Sequence, residues 1–137
     1  MALALSATLS ASFEEAVEMT RKALSGEGFG VLTETDVKAT LKAKLGEDME
    51  NYLILGACNP VLAHRAINVD RQIGLLLPCN VVVRSDPSDD GVVIVEAMDP
   101  QIMVQVADRP GLREVADAAA IKLRAAIAAL SHTPLAN

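Results

Sequence analysis

Apolar residues alternate along the first strand-like stretch, at Leu3, Leu5, Ala7 and Leu9, and this two-residue period predicts a strand over residues 3–9. The period then changes. Ser12 is placed to cap a helix whose apolar stripe is Phe13, Ala16, Val17 and Leu24, with Glu14 and Glu15 in its first turn and Gly26 or Gly28 as its stop. From Phe29 the spacing returns to two. Val31, Thr33, Thr35 and Val37 take one face of a second predicted strand, and Leu32, Glu34 and Asp36 the other. Residues 38–46, KATLKAKLG, suit a short helix ended by Gly46.

The second half continues the pattern. Residues 52–57 predict a strand and residues 60–69 a helix, opened by Asn59-Pro60 as cap and first-turn proline. A long β-branched strand is expected over residues 74–83, joined by the turn-forming SDPSDDG to an antiparallel neighbour at 92–97. Asp99-Pro100 resembles a second cap-and-proline start, for a short helix over 100–106. Leu112, Val115, Ala116, Ala119, Leu123, Ile127 and Leu130 then mark one face of a long helix that should cover the sheet.

Length and composition narrow the class. The chain of 137 residues fits one domain, residues 1–137, able to bury a core without disulfides or a structural metal. Hydrophobic residues make up 51% of it at a mean hydropathy of +0.31, yet no run approaches the roughly 18 apolar residues of a membrane helix, so no membrane partner is expected. The apolar start lacks the basic flank of a signal peptide, and two cysteines are too few for a disulfide framework. Both features fit the cytoplasm. A net charge of −6, no basic run, and only Phe13, Phe29 and Tyr52 as aromatics argue against nucleic acid, which needs clustered cations and stacking platforms. The aliphatic excess is more than one small core hides, which predicts a two-fold homodimer.

The candidate chemistry gathers at a repeated dipeptide. Both cysteines precede an asparagine, at Cys58-Asn59 and Cys79-Asn80. Cys58 falls just before a predicted helix N-terminus, where the dipole favours thiolate, although a buried strand-end cysteine fits the same position. Pro78 suggests an edge or bulge next to Cys79. His64, six residues after Cys58, is either a base or ligand beside it or a helix-surface histidine. Cys58, Cys79 and His64 could form an open three-ligand metal site. A closed zinc site lacks its motif, and Asp36, Asp48 and Glu96 show no acid/base spacing. The glycines at 26–30 precede a strand and make no phosphate cradle, and there is no G-x-S-x-G.

The ordered blocks GFGVLTETDVKATLKAKLG, NYLILGACNP, GLLLPCNVVV and AMDP resemble the family catalogued as domain of unknown function 302, over about residues 12–130. The resemblance implies an α+β fold: a two-layer α/β sandwich with a mainly antiparallel sheet in β-α-β(4)-α order, loosely similar to TATA-binding-protein-like folds, and dimeric. The short helices at 38–45, 60–69 and 100–106 are additions to that order. It implies no activity or cofactor. Its motif positions in this chain include Asp36, Lys38, Lys44, Tyr52, Cys58, Asn59, Pro60, Leu77, Pro78, Cys79, Asn80, Asp99 and Pro100.

Removing plausible caps and helix starters leaves Cys58, Cys79 and Asn80, with Asp36, Lys38 and Tyr52 as companions. Three functions fit this set. One is a module binding a small molecule or soft metal through the Cys-Asn pairs, another an interaction domain with buried inert cysteines. The last is a thiol enzyme with Cys58 as nucleophile or redox thiol, Cys79 resolving it and His64 as base.

Overall fold

A computed structural model describes residues 4–132, without the side chains of Asp90 and His132. The expected first strand is present as β1 (Ala4–Ser10), with Leu3 outside the described residues. Helix α1 (Phe13–Gly26) follows, its Glu15 amide donating to the Ser12 hydroxyl at 3.1 Å. At its end Gly28 takes φ +83, a left-handed conformation that suits glycine. Next come β2 (Gly30–Asp36), α2 (Val37–Leu45), β3 (Tyr52–Cys58) and α3 (Pro60–Val69). Then follow β4 (Cys79–Asp86), β5 (Asp89–Met98), α4 (Gln101–Ala107) and α5 (Leu112–His132). Without α2, α3 and α4 the order is β-α-β(4)-α.

The five strands form one antiparallel sheet in the order β1-β5-β4-β3-β2. Their pleat sends Ala7 and Leu9, Val93, Val95 and Ala97, Val81 and Val83, and Leu53, Leu55 and Ala57 to one buried face. Helix α1 and the second half of α5 cover that face, through Ala16, Leu24, Leu123, Ala126, Ile127 and Leu130. Thr20 on α1 is buried too, its hydroxyl donating to the Ala16 carbonyl at 2.7 Å.

The first half of α5 enters a second apolar cluster. There Leu112, Val115 and Ala119 meet Leu62 and Ala66 of α3, Met103 of α4, and Ile73. One continuous stripe on α5 therefore serves two clusters. Among the described residues no helix is long and apolar enough to cross a membrane.

Three local expectations change. Residues 71–76 wind as a 3-10 turn capped by Asp70, whose carboxylate accepts from the Gln72 amide, and β4 starts only at Cys79. Pro78 therefore stands before a central strand and not within an edge strand. A register shift between Val31 and Thr33 inserts Leu32 as an extra residue in β2. Val31 then faces the core opposite Ala57, while Thr33 and Thr35 oppose Gly56 and Ile54 on the other face. Finally, β2 ends at Asp36 and Val37 opens α2.

A cysteine-walled cleft at one end of the sheet

Because β3 and β4 are antiparallel neighbours, the end of one strand meets the start of the other. Ala57 lies opposite Cys79, and Gly56 opposite Asn80. Both Cys-Asn pairs thus reach the same end of the sheet. Beyond Cys58 the chain turns into α3, where the Leu62 amide donates to Asn59 Oδ1 at 3.2 Å and Pro60 occupies the first turn. Asn59→Ala should cost about 1 kcal/mol of stability through loss of this cap, read as a lower urea midpoint with unchanged slope.

Between the strand ends and α3, α4 and α5 lies a cavity of about 30 Å³. Phe29, Ala57, Cys58, Asn59 and Cys79 form its sheet side. Leu62, Ala63, Ala66, Met103, Val115 and Ala119 close it from the helices, with Leu77 beside them. Its wall is almost wholly apolar, and its volume suits about one water-sized group, far below the roughly 300–1,000 Å³ of a pocket for a drug-sized ligand. The cavity sits on the seam between the two apolar clusters, taking Ala57 from one and Leu62, Met103 and Val115 from the other.

Cys79 is buried, and burial pushes its thiol up from 9.0 to about 11, with the nearby Cys58 adding to the rise. At neutral pH it is a neutral, weakly polar group in an apolar wall. A resolving thiolate or a ready-made thiolate ligand at this position has no support. Cys58 is half-buried, and both cysteines are free. The direct partner of Cys79 is Ala57, so the ladder does not set the two thiols opposite each other as a cross-strand pair.

The remaining candidates lie elsewhere. His64 is exposed, with its Nε2 3.3 Å from the Asn68 side-chain amide, and takes no part in lining the cavity. Helical phase explains this: Leu62 and Ala66 hold the buried side of α3, and a residue two positions from each falls on the opposite side. The three-ligand set of Cys58, Cys79 and His64 is not assembled. Among the described residues no group of three or more His, Cys, Asp or Glu is placed to hold a metal ion.

Asn80 is exposed and outside the cavity lining. Tyr52 begins β3 and Cys58 ends it, six residues apart, or about 20 Å at strand rise. Asp36 and Lys38 belong to the Tyr52 end. Asp36 caps α2 by accepting from the Ala39 amide at 2.9 Å, and Lys38 Nζ donates to Asn51 Oδ1 at 3.4 Å. The helix-borne wall, Met103 above all, was not singled out from sequence. Its only sequence signal is an apolar position on a short helix.

Fold and cleft together define a class: an antiparallel α+β sandwich with an apolar, cysteine-walled cleft where the central strands meet the added helices. Residues 5–130 match the model of the family described as Domain of unknown function DUF302, and the chain belongs to that family. A crystal structure of an uncharacterized conserved protein DUF302 from Bacillus stearothermophilus is similar to it, at a TM-score of 0.83 and 29% sequence identity, covering 93% of this chain and 98% of that one. No curated protein matches the chain.

Proposed function

We propose that this protein is a small-molecule binding module whose cleft takes a compact aliphatic group, such as the end of a hydrocarbon chain. The observation that carries the proposal is the convergence of Cys58 and Cys79, from two different strands, on one apolar cavity walled on its other side by α3, α4 and α5. Such a wall gains from excluding water, and the few polar atoms of Cys58 and Asn59 are the groups available to orient a ligand. The small volume favours entry by part of a ligand. The neutral Cys79 thiol supports a packing role in this wall over thiolate chemistry. We place the activity in the cytoplasm, where two unpaired cysteines persist.

Titration with a series of straight-chain alcohols, followed by methyl NMR, tests the proposal. Saturable shifts should concentrate on Ala57, Ala63, Ala66, Ala119 and Met103. Ala63 is only half-buried, so Ala63→Leu should occupy the cleft and abolish those shifts while the rest of the spectrum is retained. Shifts scattered evenly over the surface, or equal binding by Ala63→Leu, would reject the cleft as the binding site.

A further inference from the structure

We infer that the end of the molecule built from α3, the 3-10 turn and α4 is a docking surface for a protein partner, and that the partner offers an acidic segment with an aliphatic anchor. The inference is independent of the cleft. Between the 3-10 turn and α4 runs a groove of about 320 Å³, lined by Ile73, Leu75, Leu76 and Val106, with Asp70 and Gln72 as its polar groups. That volume falls within the roughly 300–1,000 Å³ of binding pockets. Leu75 is 86% exposed and Val106 64%, so two large aliphatic groups stand in water beside one groove, as they do where a partner covers them.

Charge sets what the groove takes. A second hollow, of about 220 Å³, has Val104, Arg109 and Arg113 in its lining, and it meets the first where Arg109 Nε stands 3.9 Å from Asp70 Oδ2. That distance is too long for a hydrogen bond. One guanidinium nitrogen of Arg109 donates to the Val69 carbonyl at 3.4 Å, which positions the side chain and leaves its other donors available. Residues 60–77 and 100–115 hold four of the chain's 12 Lys+Arg and three of its 18 Asp+Glu, a net +1, against eight and fifteen, a net −7, in the remainder. All four of those cations are arginines, and the five lysines lie elsewhere. Protein interfaces are enriched in arginine and depleted in lysine, and the guanidinium fork matches a carboxylate two bonds at a time.

The charge distribution also selects a protein segment over an anionic bilayer. A bilayer draws lysine as readily as arginine, and its broad surface would meet the −7 of the remaining chain as well. A single segment feels chiefly the charges within about 8 Å of it. Its carboxylate seats between Arg109 and Arg113, its aliphatic side chain enters beside Leu75 and Val106, and the Gln72 amide is placed to bond its backbone. Asp70 fixes the register. Its carboxylate, held by the Gln72 N–H, repels an acid placed in the apolar groove, so the segment's acid takes the Arg113 side and its aliphatic group the Leu75 side.

Fluorescence anisotropy of a labelled octapeptide of alternating glutamate and leucine, titrated with the full chain, tests the inference. Binding should saturate, and the dissociation constant should rise by about tenfold or more in Arg109→Gln/Arg113→Gln and again in Leu75→Ser/Val106→Ser. All four positions are exposed, so the fold is spared. A peptide with glutamine at every glutamate should lose as much. Absence of saturable binding, equal binding of the two peptides, or variants that bind as tightly as the wild type would each overturn the inference. So would capture by phosphatidylglycerol vesicles without binding of the peptide, which makes this end a membrane contact. A dimer in sedimentation equilibrium that Leu75→Ser/Val106→Ser abolishes overturns it too, by making the surface a contact between copies. Should a variant fail to fold, amide shifts of the wild type on adding the peptide decide: shifts confined to residues 70–76 and 104–113 support the surface, and shifts spread evenly refute it.

Discussion

Gly56→Ala lowers the melting temperature by roughly 6–10 °C, a loss of about 2 kcal/mol for a domain of this size. Gly56 sits mid-strand in β3, on the sheet face away from the main core, with Asn80 opposite on β4 and Thr33 opposite on β2. A methyl group there collides with Thr33 Oγ1 and lies 2.7 Å from Pro78 Cγ. The threonine can turn aside, but the ring of Pro78, the residue before Cys79, is closed onto its own backbone. Overpacking of about 2–3 kcal/mol thus outweighs the roughly 0.4–1 kcal/mol gained from a stiffer unfolded chain.

Thr33→Ala in the Gly56→Ala background should recover part of the loss. Gly74→Ala, where nothing lies within 4 Å of the new carbon, should stay near wild type. Thermal melts of the four proteins check this, and a Gly56→Ala melt within a degree or so of wild type would show that β2 and Pro78 yield freely.

Between pH 9 and 11 the folded protein should lose stability that a Cys79→Ala variant does not lose. The unfolded chain releases the Cys79 proton near 9.0, whereas burial holds it on the folded protein to about 11. In that window the unfolded state binds fewer protons, so raising the pH favours unfolding. The contribution is fully present below pH 9, and its loss reaches about 2–3 kcal/mol once the folded thiol ionises. The informative quantity is the difference between the two urea midpoints against pH. Cys79→Ala should begin lower at neutral pH, for the lost sulfur packing, and fall less steeply. Parallel profiles would mean that Cys79 ionises as readily in the fold as outside it.

Much of the fold was legible because local and tertiary demands agree. The α5 stripe from Leu112 to Leu130 is buried throughout, and Ser12 and Asn59 cap the helices they precede. Disagreement arose where one pattern fits two backbones. The apolar run before Pro78 suits a strand or a tight helical turn, and packing of Ile73 against Leu62 and Met103 selects the turn. A single extra residue at Leu32 reversed the predicted faces of β2, since a two-residue period has no tolerance for an insertion.

The site was legible in part for similar reasons. Cys58 and Cys79 converge because β3 and β4 are neighbours, a pairing that the sheet topology sets. Asp36 has its chemistry absorbed by a helix cap, and Tyr52 and Lys38 are separated from the cysteines by the length of β3. The α4 and α5 walls depend on how distant helices pack, for which a local pattern carries no signal.

Placing the cleft on a seam also sets which of its sides is held more lightly. The cluster formed by α3, Ile73, α4 and the start of α5 buries seven residues, against seventeen in the sheet cluster, so less apolar contact must be given up to loosen it. That end of the molecule is held by the smaller share of the buried apolar contact, and α5, which runs through both clusters, ties it to the sheet. The walls of the cavity therefore differ in support: the strand ends are fixed by the paired sheet, and the α3 and α4 side by the smaller cluster alone.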